Sequence, residues 1–100
     1  MALSKFGFIV TGAGFAPVGE RAVLATDRFK MIAVGVPSPG DAVAVAVALV
    51  AEGVQLLELC GGFGPVWTAE VIKAIGGQVP VGAVGYGPES IDAMYALFKA

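Results

Sequence analysis

The stretch Val54-Gln55-Leu56-Leu57-Glu58-Leu59-Cys60-Gly61-Gly62-Phe63-Gly64-Pro65 decides the fold. A short apolar run, Val54–Leu59, ends in a cluster of glycines, and a proline follows where a helix would begin. Near-continuous apolarity, rather than strict alternation, marks a strand buried on both faces, as in a parallel sheet. Proline suits the first helical position, so the next segment reads as a helix from Pro65 to Gly76-Gly77. Thr68, Val71, Ile72 and Ile75 share one of its faces, with Glu70 and Lys73 opposite.

The same grammar recurs on either side. Gly14-Phe15-Ala16-Pro17, Gly62-Phe63-Gly64-Pro65 and Gly85-Tyr86-Gly87-Pro88 share the pattern Gly-aromatic-small-Pro, each soon after an apolar run. The runs Lys5–Val10, Met31–Val36 and Val81–Val84 complete a set of four strands. Ser38-Pro39-Gly40-Asp41 opens a helix that should run to about Glu52 and stop at Gly53. Its body, Ala42–Ala51, alternates Ala and Val as a strand would, but its length and the need for a crossover between parallel strands favour helix. A final helix from Pro88 carries Ile91, Met94, Tyr95 and Phe98 on one stripe, with Glu89 in its first turn.

Val18–Lys30 is open. It reads as a short crossover helix after Pro17, the slightly favoured reading, or as a strand Ala22–Thr26 turning back into Met31–Val36. Repeated strand, turn and Pro-started helix predict an α/β domain of βα units on a mostly parallel four-stranded sheet, half-barrel-like or flavodoxin-like. The glycine corners then share the carboxyl edge of the sheet, where open α/β sheets bind ligands.

Composition excludes much chemistry. The 100 residues are 57% hydrophobic and 14% charged, with one Cys and neither His nor Asn. A typical domain is about 25% charged. Without His there is no imidazole base and no His-ligated metal, and one Cys supports neither a disulfide framework nor a cysteine metal site. No metal site and no cofactor are expected. Six basic residues in no cluster, against eight acidic ones, argue against nucleic acid. The longest uncharged stretch, Ala74–Pro88, is broken by glycines and Pro80, so no segment reads as a membrane span, which needs about 20 apolar residues. The short run Phe6–Val10 does not read as a signal peptide. A cytoplasmic protein fits these features and the unpaired Cys. With so few polar side chains some exposed surface must be apolar, which predicts a homo-oligomer, with Ala42–Ala51 as candidate interface.

The candidate site lies in the turns. Gly61, Gly62 and Gly64 let the backbone approach a ligand, and free N–H groups at a helix start attract phosphate or carboxylate. Gly85, Tyr86 and Gly87 offer a second corner, Ser90 a hydroxyl, and Phe15, Phe63 and Tyr86 apolar walls. Alternatively the glycines only make tight turns, since neither corner has dinucleotide or P-loop spacing. Glu58 shares a side with Leu56 and Cys60; among apolar neighbours it would serve as a general base, or else it is a strand-end Glu paired with Arg21 or Lys30. Cys60 sits where a helix dipole would favour a thiolate, though no His is present to take its proton and free Cys often fills cores. Trp67 falls on the face of Glu70, which suggests exposure and a partner contact or pocket lid, with a core position the alternative.

The motifs ELCGGFGP (Glu58–Pro65) and VGYGPES (Val84–Ser90), with the opening Lys5-Phe6-Gly7-Phe8-Ile9-Val10, resemble a family of small bacterial proteins of unknown function. The resemblance spans essentially the whole chain and implies a single cytoplasmic domain without implying an activity. The Ala-rich Ala42–Ala51 departs from it, where the resemblance leads one to expect more Glu and Lys. Two functions follow as expectations. One is binding of an anionic small molecule at the glycine corners, extending to a minor metabolic enzyme. The other is a structural or interaction protein that self-assembles through apolar helix faces without a ligand.

Overall fold

The computed structural model describes residues 2–99. Its elements run β1 (Lys5–Thr11), β2 (Glu20–Ala25), β3 (Lys30–Val36), a 3₁₀ turn (Pro39–Asp41), α1 (Ala42–Ala51), β4 (Leu57–Leu59), α2 (Gly64–Ala74), β5 (Val81–Ala83), a second 3₁₀ turn (Pro88–Ser90) and α3 (Ile91–Phe98). The strands lie in the order β2-β3-β1-β4-β5. β3, β1, β4 and β5 are mutually parallel, and β2 pairs antiparallel with β3. The domain is α/β and mostly parallel, with five strands rather than four.

The fifth strand corrects the reading of Val18–Lys30, which is not a crossover helix. Turn chemistry decides it. Thr26 Oγ1 accepts the N–H groups of Arg28 and Phe29 at 3.2 and 3.0 Å, and the Thr26 N–H donates to the Phe29 carbonyl at 2.7 Å. A hydroxyl that satisfies backbone donors two and three residues on favours a tight reversal over continued helix. The strand begins at Glu20, two residues earlier than the strand alternative allowed.

That exchange of helix for strand has a topological consequence. The crossovers β3–α1–β4 and β4–α2–β5 step in the same direction across the sheet, so right-handedness places α1 and α2 on one face, where they pack against each other. The step from β1 to β3 runs the opposite way. A helix there would cover the other face; an edge strand leaves it bare.

The core fills the helix-bearing side. Ile9, Ile32, Val34, Val36, Leu57 and Leu59 point to it and meet Ala42, Val45, Ala46 and Leu49 of α1, Val71 and Ile75, all buried. Gly7 in β1 lets α1 settle close, because a Cβ there would lie 2.9 Å from Leu49 Cδ1. Ala42–Ala51 is helical despite its alternation, and Gly53, at φ +94°, ends it. Ser38 does not cap the backbone; its hydroxyl donates to Asp41 Oδ2 at 2.8 Å. Of the expected α2 face, Val71 and Ile75 are buried while Ile72 is exposed. The strand expected over Val54–Leu59 shortens to Leu57–Leu59. Arg21 of β2 donates to both carboxylate oxygens of Glu52, at the end of α1, through its two terminal nitrogens at 2.6 and 2.5 Å, tying the hairpin to the helix. No described helix is long and apolar enough to cross a membrane.

Candidate functional site

Four strands end at the same rim, so the loops after β1, β3, β4 and β5 share the carboxyl edge of the sheet. The connections change direction between β1 and β4, which makes the gap beyond those strands a natural place for a ligand. There the Thr11 N–H donates to Cys60 Sγ at 3.4 Å, Thr11 Oγ1 lies 3.5 Å from the same sulfur, and a Cβ on Gly62 would meet Thr11 Oγ1 at 2.7 Å. Cys60 is half-buried against the core.

Beside that gap, α2 and the chain leaving β5 enclose a groove of about 510 Å³, with Gly61, Gly64, Thr68, Ile72, Val84 and Tyr86 among its walls. The two expected glycine corners meet here. Gly61 lies so close under Tyr86 that a Cβ would stand 2.6 Å from the ring. The absent side chain at Gly61 is therefore what lets the Tyr86 ring rest on the turn. The N–H groups of Gly61, Gly62 and Gly64 have no acceptor among the described residues, whereas the Phe63 N–H is used by the Cys60 carbonyl at 3.2 Å.

The other candidate residues are dispersed. Phe63 is buried in the core and is not among the groove walls. Phe15 packs over Gly35 on the bare face, beside Val10, Ala22 and Ala33, far in the sheet order from β5. Glu58 is exposed on that same bare face rather than enclosed by apolar neighbours, and Arg21, one of its expected partners, bonds Glu52 instead. Gly87 is crowded by the Glu89 carboxylate, whose oxygens stand 2.6 Å from where its Cβ would be, so that corner already carries a negative charge. Ser90 ends the second 3₁₀ turn, at the N-cap position of α3, and is not among the groove walls. Trp67 is 38% exposed and leans over Gly40 at the end of the helix layer.

Sequence reasoning missed Thr11, Thr68 and Ile72. Thr68 and Ile72 stand one turn apart on α2, a spacing visible in the sequence. Thr11 becomes notable only once β1 is known to lie beside β4. Among the described residues no group of three His, Cys, Asp or Glu side chains is placed to hold a metal.

Residues 4–99 match the model of a family of unknown function, DUF6506. The chain belongs to that family. The match covers both glycine corners, the groove and the bare face, so all of these lie within the family's domain. No curated protein and no solved structure matches the chain.

Proposed function

We propose that the protein binds a small molecule with an apolar body and one carboxylate or phosphate end, in the groove between α2 and β5. The observation that carries this reading is the meeting of Gly61 and Tyr86 in one concave, largely apolar wall whose neighbouring N–H groups have no acceptor among the described residues. The apolar body would lie on Ile72, Ala69, Ala83 and the Tyr86 ring. The anionic end would take the N–H groups of Gly61, Gly62 and Gly64 at the start of α2, where the helix dipole favours negative charge. The Gly85–Gly87 corner is left out of anion binding because Glu89 would repel it.

Binding rather than catalysis is the better-supported role. Tyr86 is the only titratable side chain among the described groove walls, Glu58 faces the opposite side of the sheet, and Cys60 has Thr11 rather than a base beside it. The unpaired Cys60 supports a reducing, cytoplasmic setting.

A thermal-shift screen with phosphate, aliphatic and aromatic carboxylates and nucleotides tests this. A ligand at a hundred times its Kd stabilises by about 2.7 kcal/mol, worth roughly 10–20 °C in a domain of this size. The shift should vanish in Gly61→Val, which drives the Tyr86 ring off the turn. An unshifted wild type across the screen, or a shift that survives Gly61→Val, refutes the reading.

A further inference from the structure

Among the described residues, the helices cover one face of the sheet and leave the other bare. On the bare face, alternate residues of neighbouring strands line up in register: Leu24 with Met31 and Phe6, then Ala22 with Ala33 and Phe8. These side chains are apolar and at least partly exposed, Leu24 at 68%. Parallel strands are ordinarily covered on both faces. The trough is closed at one end by Phe15 over Gly35 and at the other by the Phe6–Phe29 ring pair, 5.8 Å between centroids.

The same chain also carries an unpartnered helix. No described side chain of α3 is buried, and its stripe leaves Ile91, Tyr95 and Phe98 62%, 68% and 68% exposed. An eight-residue helix is about 12 Å long, close to the roughly 13 Å from Phe6 to Val10 along β1. Its own α3 is badly placed to fill the trough. The Val84 N–H bonds the Leu59 carbonyl at 3.0 Å and Tyr86 rests on Gly61, so the chain leaves β5 on the α2 side and would have to pass around that edge strand.

We infer that the bare face is the dimer interface of this protein, each copy laying its α3 stripe into the trough of a second copy. The areas suit this. At roughly 200 Å² per large side chain, each stripe exposes about 400 Å²; two stripes on two troughs bury on the order of 1,600 Å², the size of a stable specific interface. The interface expected from sequence, on α1, is less suited. Its Val45 and Leu49 are spent on the core, and Val47 and Val50 border α2. The inference is independent of the proposed ligand, since the groove lies on the other side of the sheet.

Light scattering after size exclusion, at tens of micromolar, should give twice the 10.0 kDa chain mass. The double variant Tyr95→Glu with Phe98→Glu, both exposed and so of small folding cost, should run as a monomer with an unchanged circular dichroism spectrum. Val47→Glu, at a half-exposed α1 position beside α2, should remain dimeric. Cysteine substitution reports the pairing directly: with Cys60→Ser in both chains, one carrying Phe8→Cys and the other Tyr95→Cys, mixing and oxidation should give a crosslinked heterodimer. A monomeric wild type, a dimer that survives the α3 double variant, or a dimer lost in Val47→Glu alone overturns the inference.

Discussion

Gly7→Ala is the sharpest test of how the helix layer sits on the sheet. Gly7 lies mid-β1 on the covered side, and an added Cβ would be 2.9 Å from Leu49 Cδ1 and 3.0 Å from Leu57 Cδ2. Both leucines are fully buried, so neither methyl group has solvent to move into. Overpacking of this kind costs about 1–3 kcal/mol, partly offset by the roughly 0.4–1 kcal/mol gained when replacing Gly lowers the unfolded chain's entropy. The expected net loss is about 0–2.6 kcal/mol, centred at about 1.3 kcal/mol, which at the centre is roughly 5–10 °C in melting temperature. Leu49→Ala alone should cost about 2–5 kcal/mol through the cavity it opens. That cavity adjoins the place the new methyl needs. In the Leu49→Ala background, Gly7→Ala should therefore be neutral or stabilising, with a coupling of about 1–3 kcal/mol, as contacting residues show. Urea unfolding followed by far-UV circular dichroism gives all four stabilities. An equal cost for Gly7→Ala in both backgrounds would mean that Leu49 does not press on β1, and the close seat of α1 on the sheet would be refuted.

Two further outcomes are expected. The hydrogen bond from Arg21 holds the Glu52 carboxyl below its usual range, and the nearby positive charges of Arg21, Lys5 and Lys30 add to it. A carboxyl lowered in the folded state contributes stability that is complete above its unfolded value, about 4.3, and that drains as pH falls through the lower folded value. Urea midpoints measured between pH 7 and 3 should thus fall less steeply for Glu52→Gln than for the wild type; superimposable acid limbs would count against the pair. Cys60, half-buried and in contact with Thr11, should react with iodoacetamide more slowly in the folded chain than in urea. Faster labelling of the folded chain would restore Cys60 as a nucleophile.

How much was legible depended on whether the signal was local. The glycine corners, the apolar runs of β1, β3 and β4, and the proline-led starts of α1 and α2 are short-range features, and the structure contains each of them. The strand β2 was misjudged because polar–apolar alternation is missing there: Ala22, Val23, Leu24 and Ala25 are all apolar, so period alone favoured neither state, and the Thr26 side chain settled it. At the site, Gly61, Gly64, Gly85 and Tyr86 came together as their motif suggested. Phe15 and Glu58 did not, because residues on one rim can still face opposite sides of a sheet, and only the strand order says which.

The chain by itself determined that parallel strands would alternate with helices and that their glycine turns would gather at one edge. Chain direction and right-handed crossovers leave no other arrangement for such units. What only the tertiary structure decided is which face each element covers. The step from β1 to β3 runs against the other two, and a strand rather than a helix fills it. Because handedness ties the direction of a step to the face its connection occupies, that one exchange exposes Phe8 and its neighbours, with α3 left uncovered in the same chain.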